Sequence, residues 1–454
     1  MVMMSVYEVV DMDDDEYAKL IRRMNPPRVV IDNDSCENAT VIRVDSVKKD
    51  GILLEVIQVL TDLNLIITKA YISSDGSWFM DVFNVTDCDG NKVWDKEIIS
   101  YIQNALETDA CYSPSLRKSS VGVMPSEEHT SIELTGTDRP GLLSEVCAVL
   151  TDLGCNVVKA EVWTHNARVA AVVHVTDGAT GLAIEDPGRL ATVRELLCNV
   201  LRADGDFRKA KSAVAMGVTH TQRRLHQLMF DDRDYERRAV GVGGSTAEKK
   251  MSRRPEVTVM DCSEKDYTVV ILKSKDRPKL LFDTICTLTD MQYVVFHGTV
   301  STGSGEAYQE YYIRHVDGLP MSSQPERERV IQCLEAAIER RASEGLELEL
   351  RTEDRVGLLS DITRIFREHG LCVRRAEIST SGGKAVDSFY VSEMSGGPVE
   401  ASTIESVRRQ IGQTVLRVKQ NPSTQKPESN TGFLFANFFK GCSFQSFRLI
   451  RSYS

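Results

Sequence analysis

Two stretches of this 454-residue chain carry residues suited to holding a small zwitterion: Asp138-Arg-Pro-Gly-Leu-Leu and Asp354-Arg-Val-Gly-Leu-Leu. Each lies between an alternating run and an amphipathic run, where a strand would turn into a helix. The first turn of a helix leaves N–H groups without intrahelical partners and carries partial positive charge, so a carboxylate can rest there. Gly141 and Gly357 would let a ligand approach the backbone with no side chain in the way. Asp138 and Asp354 stand ready to receive an ammonium, with Leu142 and Leu358 following the turn. The same residues also make an ordinary helix start, with Asp as N-cap and Pro in the first turn. On residue types alone capping is favoured over ligand contact, and both are carried forward.

These turns belong to a repeat. Two further segments align with them: Lys49-Asp50-Gly51-Ile-Leu-Leu, and Asp276-Arg277-Pro278-Lys279-Leu-Leu. Asp50 and Gly51 keep part of the pattern. Lys279 stands where glycine would, so the third copy is the least suited to bind, its ammonium either blocking a pocket or reaching a ligand carboxylate. Each copy opens with an alternating strand; in the second, Ile132 and Leu134 point one way and Ser131 and Glu133 the other. The helix after the turn carries an apolar stripe, Leu142, Val146, Val149, Leu150 and Leu153, with Gly154 as its stop. A hairpin follows, turning at Asp75-Gly76, His165-Asn166 or Gly382-Gly383. A second helix and a weak last strand, clearest at 415–418, complete the unit.

Strand, helix, hairpin, helix, strand is the ferredoxin-like βαββαβ motif, so the expected fold class is α+β with four such domains. The expected division is an N-terminal segment 1–38, domains 39–113 and 129–204, a basic linker 205–265, domains 266–343 and 345–420, and an aromatic tail 421–454. A unit this small leaves sheet edges open, which side-by-side pairing would close. Neighbours in sequence are the expected partners, one with two and three with four.

Composition narrows the function. A formal net charge of −11 gives no footprint for nucleic acid. Eleven cysteines without a Cys-x-x-Cys pair argue against a disulfide framework or a cysteine zinc site, and fit a reducing compartment. No signal peptide and no membrane-spanning run is read, so the expected location is the cytoplasm, with the nucleus as a second compartment. His220 and His226 are placed on a linker helix with Leu225, Leu228 and Met229 as its buried face. Asp81 and Asp387 align in the third strand, where an open sheet face is the preferred placement. The acidic run 11–16 reads as a solvated tail, and the glycines at 241–244 as flexible chain. No catalytic residue, metal ligand or cofactor is read.

The Asp-Arg-Pro-Gly-Leu-Leu turn inside βαββαβ resembles that of the ACT domain, a regulatory module that in many relatives binds amino acids. Four copies with no enzyme attached resemble the plant ACT-domain-repeat (ACR) proteins. Three further stretches support that match: Arg23-Met-Asn-Pro-Pro-Arg-Val-Val-Ile-Asp-Asn, His220-Thr-Gln-Arg-Arg-Leu-His-Gln-Leu-Met-Phe, and the ending Leu449-Ile-Arg-Ser-Tyr-Ser. The resemblance implies a non-catalytic amino-acid sensor with ligand contacts at Asp50, Gly51, Asp138, Gly141, Leu142, Asp354, Gly357 and Leu358. ACR proteins are also similar to the C-terminal ACT pair of the bacterial uridylyltransferase that senses glutamine, which makes glutamine a candidate ligand. A ligand-free scaffold for a protein partner or a homo-oligomer is the alternative, and a uridylyltransferase-like enzyme ranks third.

Overall fold

The computed structural model describes residues 27–47, 51–75, 78–107, 129–202, 210–215, 220–236, 254–262, 265–341, 345–395, 397–412 and 415–419. Asp50, Gly76, the acidic run, the glycine-rich segment and the aromatic tail lie outside them.

The first copy comprises β1 (Arg28–Asp32), β2 (Thr40–Val47), α1 (Ile52–Asp62), β3 (Ile66–Asp75), β4 (Trp78–Thr86) and α2 (Lys96–Glu107). The second comprises β5 (Thr130–Thr137), α3 (Leu142–Asp152), β6 (Cys155–His165), β7 (Arg168–Asp177), α4 (Pro187–Leu201) and β8 (Lys211–Ala215). A separate helix, α5 (Thr221–Asp231), follows. The third contains β9 (Glu256–Asp261), β10 (Thr268–Lys275), α6 (Leu280–Asp290), β11 (Tyr293–Gly303), β12 (Glu306–His315) and α7 (Gln324–Arg340). The fourth contains β13 (Leu346–Glu353), α8 (Leu358–Glu368), β14 (Leu371–Ser381), β15 (Lys384–Glu393), α9 (Ala401–Ile411) and β16 (Leu416–Lys419).

Local chemistry explains these elements. In α3, Leu142, Val146 and Leu150 fall on one buried face, each contributing about 1.5–3 kcal/mol by leaving water. Gly154 and Gly370 end their helices at positive φ, 66° and 69°. The hairpin turns at Asn166-Ala167 and Gly382-Gly383 also take positive φ. The strand after each first helix, β3, β6, β11 and β14, carries a bulge at the same place, at Thr68, Val158, Phe296 and Arg374.

The pairing differs from the expectation of sequence neighbours. One eight-stranded sheet has the order β1-β2-β4-β3-β11-β12-β10-β9, joining copies one and three. The other, β16-β13-β15-β14-β6-β7-β5-β8, joins copies two and four. Each junction is antiparallel and centred on equivalent residues, Tyr71 opposite Thr299 and Glu161 opposite Glu377. Each pair shares one apolar core. The alternating pattern shows which face of each strand is apolar, but four similar edges leave the partner undetermined.

A second difference concerns order. In copies one and three the outer strand comes before the unit, so among the described residues the order is ββαββα there and βαββαβ in copies two and four. The supposed N-terminal segment therefore supplies β1, and the supposed linker supplies β8 and β9. Val29, Val257 and Val259 turn inward to the first core, which is what recruits β1 and β9.

Candidate functional site

The turn before each first helix is held by the left-handed conformation of one residue. Gly51, Gly141 and Gly357 have φ of 84°, 81° and 82°, and Lys279 has 65°. None of these helix starts has a side-chain cap. The capping role favoured for Asp138 and Asp354 is therefore not taken up, because the turn carries each aspartate away from the free N–H groups.

The arginine of the motif braces the turn. Arg277 Nη1 donates to Asp283 at 2.7 Å and Nη2 to the Ile338 carbonyl at 2.9 Å. Arg139 likewise reaches Glu145 at 2.9 Å and the Val200 carbonyl at 3.2 Å. Arg355 pairs with Asp361 at 2.5 Å. These bonds tie strand end to first helix, leaving the aspartate and glycine to face the neighbouring copy.

Under the copy-four turn lies a small open-mouthed cavity, its outline spanning about 360 Å³ with the solvent at its mouth included. Asp354, Gly357, Leu358, Leu359 and Ser360 form one wall, and Cys147, Thr151 and Asn156 of copy two form the other. Asn156 Nδ2 donates to Asp354 Oδ2 at 3.3 Å across the junction. A β-carbon on Gly357 would stand 3.3 Å from Thr151 Cγ2. The floor carries Asp387, only 1% exposed. Asp387 and its counterpart Asp81 thus lie on the helix-covered face, not the open one. Both are pushed up to about 7 by burial.

The copy-two turn is closed. A β-carbon on Gly141 would meet Arg367 Cδ of copy four at 2.8 Å, so that side chain crosses the turn. The bulge at Arg374 aims its guanidinium at Asp138, 3.8 Å away. Burial raises Asp138 to about 6, with Arg374 working against the rise. Leu142 is packed into the core. A β-carbon on Gly51 would meet no atom within 4 Å among the described residues. The copy-three turn borders a small open-mouthed cavity against Thr61 and Leu65 of copy one, floored by Gln309. Lys279 Nζ donates to Gln222 on α5 at 3.2 Å. The copy expected to be least suited thus still borders open space.

Sequence reasoning missed Thr151 and Asn156. They sit at the end of α3 and the start of β6, far from any motif, and become visible only once copies two and four are known to pair.

Helix α5 lies between α6 and strands β6 and β7. Leu225 and Met229 are buried as expected, Leu228 only in part, and they pack on Trp163; His220 caps the helix by accepting from the Arg223 N–H. His226 is fully buried: Nε2 donates to Asp283 at 2.8 Å and Nδ1 accepts from Arg340 at 3.0 Å. Burial pushes it down to about 4. Arg340 grips Asp234 through two bonds of 2.6 Å, and Asp234 Oδ2 lies 3.0 Å from His165 Nδ1 of copy two. Burial opposes charge on Asp234, but Arg340 and His165 outweigh it and hold Asp234 at about 2.

Paired βαββαβ-type units with a left-handed turn before the first helix define a repeat of ACT-type regulatory domains. The chain belongs to the ACR family of ACT domain-containing proteins. Residues 35–113 match the family described as ACR family N-terminal ACT domain, and residues 130–186 and 347–412 match the ACT domain. The chain is 62% identical over 448 residues to the ACT domain-containing protein ACR4 of Arabidopsis thaliana, covering 97% of this chain and 98% of that one. It is 64% identical over 440 residues to ACR6 of the same plant, covering 94% and 100%. It is also similar to the bifunctional uridylyltransferase/uridylyl-removing enzyme of Rhodospirillum rubrum, 25% identical over 233 residues, or 50% of this chain and 22% of that one. Among the described residues no helix is long and apolar enough to cross a membrane.

Proposed function

We propose that this chain is a non-catalytic regulatory protein that binds a free amino acid in the cavity between copies two and four. The observation that carries this is the joining, in one cavity, of a helix start, a glycine turn and two carboxylates. The α-carboxylate would rest on the first turn of α8, at the N–H groups of Leu359 and Ser360. The ammonium would meet Asp354, which Asn156 holds in place. Gly357 keeps the approach clear. Asp138, Gly141, Asp50 and Gly51 are the equivalent positions of weaker candidate sites, the copy-two turn being crossed by Arg367. Glutamine is one candidate ligand, through the family's similarity to the bacterial sensor.

A thermal-shift screen of the full chain with the twenty amino acids tests this, since a ligand that binds only the folded state raises apparent stability. At least one amino acid is expected to raise the melting temperature, and Gly357→Val to abolish the rise. No shift with any amino acid would refute the proposal.

A further inference from the structure

The floor of the copy-four cavity holds a carboxyl group that its own domain leaves half used. Asp387 Oδ1 accepts from the Ser379 N–H at 3.2 Å. Its second oxygen has no hydrogen-bond partner among the described residues. The side chain is 1% exposed and lines the cavity. The charged and titratable groups around it are Asp354 and Arg355 from the turn and Cys147 and Cys155 from copy two. Arg355 is engaged with Asp361, and among the described residues no cation is directed at Asp387. That oxygen opens on the cavity, so a ligand seated there can supply the donor that the domain itself does not.

Resting on the amino-acid reading of this cavity, we infer that Asp387 sets its specificity: the ligand carries a nitrogen donor, amide or ammonium, at the end of its side chain. The α-carboxylate and α-ammonium engage the turn at the mouth, so the side chain is the part that reaches the floor. The equivalent floor positions differ in two of the other copies, Gln309 under the copy-three turn and Ala171 opposite Leu134 in copy two. Asp81 repeats the carboxyl in copy one and also accepts from a backbone N–H, that of Ser73 at 3.3 Å. That shared bond anchors the hairpin and uses one oxygen. A purely structural role would end there and leave ligand preference untouched.

Titration calorimetry on the full chain with glutamine, lysine, glutamate and norleucine tests the assignment. Glutamine or lysine is expected to bind about tenfold or more tighter than glutamate and norleucine. Asp387→Asn is expected to bring the four within about threefold of one another. The two donor classes separate by pH. Ionising Asp387 between pH 6 and 8 tightens an ammonium ligand and leaves an amide ligand level or weaker. Norleucine or glutamate binding as tightly as the nitrogen-bearing ligands overturns the assignment, as does a folded D387N protein with unchanged preference. Should D387N not fold, the discrimination by the unaltered protein decides alone. Binding of amino acids without this preference removes only the role of Asp387, whereas no binding at all removes the amino-acid reading as well.

Discussion

Replacing Asp234 with asparagine is expected to cost between about 2 and 5 kcal/mol, and two routes give that range. Asp234 and Arg340 are 0% and 1% exposed and share two bonds of 2.6 Å. Breaking such a buried pair by removing one charge costs about 3–5 kcal/mol, because the other charge stays buried. Independently, Asp234 sits at about 2 against an ordinary 3.8. That difference corresponds to about 2.5 kcal/mol favouring the charged form in the folded state. A group depressed in this way contributes its full stability above 3.8 and loses it as pH falls toward 2. The deficit of D234N should therefore shrink in acid. Urea unfolding followed by tryptophan fluorescence suits the measurement, since Trp163 lies buried in the same junction. In a double-mutant cycle with Arg340→Met, the double variant should lose less than the sum by about 2 kcal/mol. A deficit under about 1 kcal/mol at pH 7, or strict additivity, would refute a stabilising role for this pair.

Burial depresses His226 to about 4 from 6.5, so its contribution is intact above 6.5 and lost as pH falls to 4, about 3 kcal/mol in all; His226→Gln should flatten that part of a stability–pH curve, and an unchanged slope would count against it. Asp387 works in the opposite sense: raised to about 7, it destabilises as pH rises from 3.8 through 7, so D387N should gain stability relative to the parent at pH 8 but not at pH 4. Tyr71→Cys with Thr299→Cys places thiols directly opposite across the copy-one/copy-three junction, and oxidation should cross-link them in high yield; peptide mapping that finds no such link would contradict the pairing. Gly357→Val puts a branched side chain at φ 82°, 3.3 Å from Thr151, with an expected cost of about 1–3 kcal/mol in chemical denaturation.

The repeat, the strands and the helices were legible because each rests on local patterning. Leu142, Val146 and Leu150 announce a helix face, and Gly154 announces its end. The glycine turns could be named because only a left-handed residue fits there, although Lys279 shows that an L-residue can hold the same φ at some strain. What stayed hidden is non-local. Nothing in β3 or β6 says which of four similar edges it will meet. Thr151 and Asn156 were invisible for that reason, and so was the partnership of Arg374 with Asp138. Asp387 was misplaced because polarity argues for the open face, and the cavity beneath the turn is what makes its burial tolerable.

The alternation of strand order has a consequence for how such a chain arose and how it must be made. Copies one and two form a half with order ββαββα then βαββαβ, and copies three and four repeat that half. Each sheet joins like to like across a local twofold, at Tyr71/Thr299 and at Glu161/Glu377. This is the arrangement that two identical two-domain subunits would adopt, now joined on one polypeptide. Neither sheet can close during synthesis until the second half begins to emerge. A chain stopped after copy two would present β3 and β6 as bare edges, ready to capture the same edges of another chain.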